Sequence, residues 1–94
     1  MKKTNSTNYT DWIEKGAHDF EDAKRLLKND GYPDTICFLD QQAVEKYLKA
    51  YLVWKHKQPR PIHNLEELVK DCSRIEKTFL RYFDECLALS PYYI

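Results

Sequence analysis

The chain has only two glycines among its 94 residues, and neither opens a phosphate-cradling loop. That shortage excludes the P-loop and dinucleotide fingerprints, which need closely spaced glycines to bring backbone N–H groups onto phosphate. No run approaches ~18 consecutive apolar residues, the length that crosses a bilayer. Lys2 and Lys3 have no apolar segment behind them, so no secretory leader is legible. The three histidines, His18, His56 and His63, show neither His-x-x-x-His nor a mixed Cys/His ligand spacing, and no metal site or other cofactor is expected. No serine lies in a nucleophile-elbow context, so no catalytic residue is assigned. Cys37, Cys72 and Cys86 are odd in number, far apart and without a Cys-x-x-Cys. They fall at apolar-periodic positions, which predicts reduced, buried thiols in a cytoplasmic protein. An excess of one charge is lacking too. Fifteen Lys and Arg face fifteen Asp and Glu, so any anion site must be local.

What is present is a core. Hydrophobic residues make up 43% and aromatics 14%, enough to argue against disorder. At this length one domain buries roughly 60–65% of the surface its unfolded chain exposes, so the stability margin is small. We read residues 1–9 as a disordered N-terminus and 10–94 as one helical domain.

Helical periodicity dominates throughout, with no strand-like alternation. Thr10 or Asp11 is the expected cap of a first helix that stops at Asn29-Asp30-Gly31. Trp12, Gly16, Phe20, Ala23 and Leu27 draw one apolar stripe along it. Gly16 costs about 1 kcal/mol in helix propensity, a cost that close approach of a neighbouring helix would explain. A second helix is expected from Asp34 to about His56. Stepping ~100° per residue, Ile36, Cys37, Leu39, Ala43, Val44, Tyr47, Leu48, Ala50, Tyr51 and Trp54 fill half its circumference. Gln41, Gln42, Glu45, Lys46 and Lys49 fall outside that arc, whereas Asp40 falls within it. A carboxylate there costs several kcal/mol unless paired or wetted; a pairing partner or a cavity lining would each account for it.

Pro59 and Pro61 break the pattern. Asn64 is the expected cap of a short third helix carrying Leu65, Leu68, Val69 and Cys72 inward. A fourth helix, from about Arg74 to Leu89, is expected to bury Ile75, Phe79, Phe83, Cys86 and Leu87. The fold class is all-α, an up-and-down antiparallel helical bundle.

One local charge concentration stands out. Lys55, His56, Lys57, Arg60 and His63 precede the N-terminus of the third helix, where free N–H groups and the helix dipole favour anions. Lys55, Lys57, Arg60 and His63 are therefore the candidate ligand-binding residues, with Lys46 and Lys49 of the second helix's polar side as further candidates. The alternative is a solvated loop whose charges answer Glu66 and Glu67.

Trp12, Ala17, Asp19, Ala23 and Leu26-Leu27, then Tyr32, Cys37-Phe38, Gln41-Gln42-Ala43, Glu45-Lys46 and Leu48-Lys49-Ala50, resemble the HEPN (higher eukaryotes and prokaryotes nucleotide-binding) domain. His63-Asn64-Leu65 and Leu68 resemble its short third helix, and the likeness spans about Trp12 to Ile94. The resemblance implies a helical bundle, a homodimer, and a nucleotide such as ATP or GTP, or RNA, as ligand. It also implies a minimal nucleotidyltransferase as partner in a toxin–antitoxin-like system, and a fifth helix after Ile94. The family's ribonuclease branch uses Arg-x(4–6)-His, with His as general acid/base and Arg on the phosphorane charge. Arg25, Arg60, Arg74 and Arg81 have no histidine at that distance. The expectation is a binding module, against a ribonuclease toxin with its motif outside these residues or a purely structural dimerisation module.

Overall fold

The computed structural model describes residues 7–93. The disorder expected over residues 1–6 and the helix expected after Ile94 lie outside the described residues. Four α-helices follow one another: α1 (Tyr9–Lys28), α2 (Pro33–Trp54), α3 (Leu65–Ser73) and α4 (Phe83–Leu89). Short 3-10 segments, Lys77–Tyr82 and Ser90–Tyr92, flank α4. No strand occurs among the described residues, and the bundle is all-α.

The cap of α1 is Asn8, ahead of the expected Thr10 or Asp11. Its Oδ1 accepts the Thr10 N–H at 3.0 Å and the Thr10 hydroxyl at 2.7 Å, satisfying a donor the helix cannot satisfy itself. The earlier start takes Tyr9 into the first turn, where its ring meets Trp54 edge-on at 6.5 Å. At the other end Gly31 donates to the Leu26 carbonyl at 2.6 Å. The left-handed residue there is Asp30, φ 56°. Gly31 is needed for space instead, since a Cβ on it would lie 2.7 Å from that of Leu26.

Helix α2 starts at Pro33, whose missing N–H is no loss in a first turn. It ends at Trp54 in a Schellman arrangement, short of the expected His56. Lys57 donates to the Leu52 carbonyl at 2.8 Å and His56 to that of Val53 at 2.9 Å. His56 itself sits at φ 61°, a position that favours glycine.

Helices α1 and α2 pack antiparallel, and Gly16 is where they touch. A Cβ there would lie 3.1 Å from Tyr47 Cε1 and 3.2 Å from the Ala43 carbonyl oxygen. The close approach expected of Gly16 is observed. Trp12 and Ala23 are buried with it, but Phe20 is half exposed and Leu27 is 70% exposed. The expected stripe is narrower than its periodicity implies because Asp19, beside it, turns inward to Lys46.

The main apolar core lies on the other side of α2. Leu48 and Leu52 pack against Leu65, Leu68, Val69, Cys72 and Cys86, with Tyr51, Phe79, Phe83 and Leu89 around them. The expected continuous fourth helix is broken. Glu76 adopts extended backbone and its carboxylate accepts the N–H and hydroxyl of Thr78, so a 3-10 segment intervenes before α4. That break turns Ile75 and Leu87 outward, against expectation, while Phe79, Phe83 and Cys86 reach the core. Burial raises the Cys72 thiol to about 12 and the Cys86 thiol to about 11. Both remain protonated and unreactive at neutral pH.

Two substitutions separate these constraints. Gly16→Val should cost ~1–3 kcal/mol by forcing α1 off the Ala43 carbonyl. His56→Gly should add about 0.5–1 kcal/mol by relieving a left-handed backbone. Urea denaturation measures both; equal midpoints for all three proteins would refute the account.

Candidate functional site

Gln41, Glu45, Lys46 and Lys49, which periodicity leaves outside the packing arc of α2, are buried, with Glu45 5% exposed and Lys49 6%. Conversely, Tyr47 and Trp54 of the apolar arc are 39% and 50% exposed. The arc is rotated relative to expectation because the polar stripe lies between α1 and the loop before α3. Each group in it finds a partner there. Lys46 pairs with Asp19 of α1. Lys49 donates to Glu45 Oε2 at 3.2 Å, and Gln41 Nε2 lies 3.3 Å from Glu45 Oε1 and 3.0 Å from the His63 carbonyl oxygen. Gln42 donates to Gln41 Oε1 at 2.7 Å. His63 Nδ1 meets Glu45 Oε1 at 3.0 Å. Among the described residues no buried side-chain nitrogen or oxygen lacks a partner.

The cationic loop does not form one patch. Lys55 lies over the Trp54 ring, its ammonium 4.3 Å from the centroid. His63 belongs to the Glu45 network. Lys57 and Arg60 instead line an open groove of about 430 Å³ together with Leu52, Gln58, Asp71, Arg74 and Ile75. Asp71 organises its charge. Arg60 donates to the two Asp71 oxygens from Nε at 2.8 Å and Nη2 at 3.0 Å, and Arg74 approaches the same carboxylate at 3.4 Å. The hydrogen bonds Arg60 donates to Asp71 raise its pKa further, so its charge is permanent. Glu67, hydrogen-bonded by Lys70 and then by Arg60, is held below the ordinary carboxylate range. Asp71, Arg74 and Gln58 were not singled out from sequence. Arg60 and Asp71 stand on different elements, and no local periodicity marks such a pair.

Asn64 occupies the cap position of α3 as expected, yet its side chain makes no cap bond. The Leu65 N–H is satisfied by Ser90 Oγ at 3.2 Å, and the Ser90 hydroxyl donates to Glu66 at 3.2 Å. Tyr93 stacks on the His63 ring, centroids 3.9 Å apart and planes 11° from parallel.

The family model for the HEPN domain matches residues 9–94, nearly the whole chain. The chain belongs to the HEPN family. No curated protein and no solved structure matches it. The run Gln41 to Ala50 that carries the resemblance is, in this HEPN domain, the buried network itself. Its polar members hold the helices together and leave its two lysines neutralised. Among the described residues no group of three or more His, Cys, Asp or Glu is placed to hold a metal ion. Among the described residues no helix is long and apolar enough to cross a membrane.

Asp40 is half-buried, and desolvation raises its pKa; it has no ion-pair partner among the described residues. Folding therefore favours its protonated form, so its contribution is intact in acid and lost as pH rises through the folded-state pKa. Asp40→Asn should stabilise the HEPN domain near pH 7 and make little difference at about pH 3. Denaturation midpoints at the two pH values decide; an equal gain at both contradicts the burial argument. For Glu45, replacement by Leu leaves Lys49 buried and unpaired and should cost ~3–5 kcal/mol. The double variant Glu45→Leu/Lys49→Met should recover most of that loss. A double-mutant cycle with no coupling would show the pair to be incidental.

Proposed function

We propose that this HEPN domain is a binding module for a phosphate-bearing ligand, a nucleotide such as ATP or GTP, taken in the groove between the end of α2 and α3. The observation that carries the reading is the groove's composition. Leu52 and Ile75 offer apolar wall, Gln58 an amide, and Lys57, Arg60 and Arg74 the cations. Asp71 grips the Nε–Nη2 edge of Arg60, which pre-sets the guanidinium and turns its other edge to the ligand. Lys46 and Lys49 leave the candidate set because they are buried as well as paired with Asp19 and Glu45, whereas Arg60 and Arg74, though paired with Asp71, stay open to solvent. Lys55 and His63 lie outside the groove lining. None of Arg25, Arg60, Arg74 or Arg81 is followed by a histidine at four to six intervening residues, so no ribonuclease step is assigned to these side chains.

The module would work as a homodimer, beside a minimal nucleotidyltransferase in a toxin–antitoxin-like pair. Ile13, Phe20, Tyr47 and Trp54, half-exposed and spaced seven residues apart on each of the paired helices α1 and α2, support an interaction role, since exposed apolar faces mark contact surfaces. That surface also supports the second reading, a dimerisation module without a ligand.

Calorimetric titration with ATP and GTP tests the proposal. Binding should weaken about tenfold in Lys57→Ala and again in Arg74→Ala, as expected for lost charge-assisted contacts, and stay unchanged in Lys55→Ala. No heat at ~1 mM nucleotide, where a Kd of that order is still visible, would sink it and leave the dimerisation reading.

A further inference from the structure

The last turn of the described chain lies across the start of α3 without entering the core. Leu89 packs against the apolar cluster, whereas Pro91, Tyr92 and Tyr93 beyond it are exposed. Two side chains fasten the segment. Ser90 takes the Leu65 N–H and gives its own proton to Glu66. Tyr93 covers one face of His63. A bond from the Tyr93 N–H to the Ser90 carbonyl at 3.2 Å holds both fasteners in one turn.

Each anchor point would be chemically open without that turn. The Leu65 N–H is one of the donors an α-helix cannot satisfy internally, and the Asn64 side chain does not cap it. His63 is an imidazole whose Nδ1 is tied to the buried carboxylate of Glu45. That bond fixes the ring and leaves Nε2 as the nitrogen open to a proton or a ligand. Two long hydrogen bonds of 3.2 Å on one hydroxyl and one ring stack are weak ties. The residues behind them are not: Leu65, Leu68 and Val69 are fully buried, so α3 does not depend on the segment for its place in the core. A weakly tied segment over a well-anchored helix opens locally, without global unfolding.

We propose that Ser90–Tyr93 is a strap hinged at Leu89. Closed, it caps α3 and covers one face of the Glu45-held imidazole, whose side chain keeps 44% of its surface open to solvent. Open, it uncaps the Leu65 N–H and frees that face of His63. The strap thereby couples the chain after α4 to the Glu45 network that joins α2 to the loop before α3.

The test is the rate at which diethyl pyrocarbonate modifies His63, read peptide by peptide, with the exposed His18 and His56 as internal standards. Tyr93→Ala should raise the His63 rate about threefold or more, as expected for release of a local closed state, with both standards unchanged. Tyr93→Phe keeps the stack and should match the unmodified chain. In Ser90→Ala, hydrogen exchange should quicken at the Leu65 amide and stay unchanged at Val69. An unchanged His63 rate in Tyr93→Ala overturns the proposal. So does equal acceleration at all three histidines, or quickening at Val69 with Leu65, because the segment would then belong to the folding core.

Discussion

A carboxylate removed from water costs several kcal/mol unless donors replace its hydration, and Glu45 meets that demand through three side chains drawn from two elements. Lys49 comes from the next turn of α2, Gln41 from the preceding one, and His63 from the loop leading into α3. The geometry is therefore restrictive. The loop must return to within 3.0 Å of Glu45, which fixes where α3 begins and which face it offers to Leu48 and Leu52. A hydrophobic contact tolerates sliding; a buried ion pair with hydrogen-bonded neighbours does not. The apolar core provides most of the attraction between α2 and α3, and the Glu45 network selects one arrangement of it.

The same logic runs along the other side of α2. Lys46 reaches Asp19 across the α1–α2 seam, and the seam is thin there because Gly16 lets the Ala43 backbone approach. A longer interhelical distance would strand both charges. Gly16 and the Lys46–Asp19 pair thus depend on each other, and the helix-propensity cost of the glycine is offset by the pairing it permits. The outward consequence is that Phe20 and Tyr47 remain half exposed, which leaves apolar surface on the paired helices.

Element type was legible in the sequence because helical periodicity, Asn29-Asp30-Gly31 and the two prolines are local signals. The orientation of α2 was not. A helical wheel sorts residues by hydropathy, so it places Gln41, Glu45, Lys46 and Lys49 outside the packing arc. Gln41, Glu45 and Lys49 partner one another within α2, but Asp19 and His63, which complete the burial, stand on other elements that no window along α2 contains. The break at Glu76 was missed for a related reason: its carboxylate competes for the Thr78 N–H, a side-chain alternative to helix that periodicity ignores. Of the residues lining the groove, Lys57 and Arg60 were singled out through charge density. Asp71 and Arg74 were not, because they read as an ordinary solvated helix face.

This division explains what the recognisable run can and cannot say about function. Its polar residues are consumed by packing, so their presence identifies the HEPN fold while saying nothing of the ligand. The groove draws its cations from the loop and from α3, outside that run, and its charge balance turns on one residue. Asp71 engages two arginines; without it they would repel each other and splay. With it, Arg60 and Arg74 share one carboxylate on one groove wall, which would lower the cost of ordering them around the proposed ligand. A carboxylate inside a candidate anion site therefore need not count against that site. Here its two-arginine grip is the feature that gives the groove a defined shape.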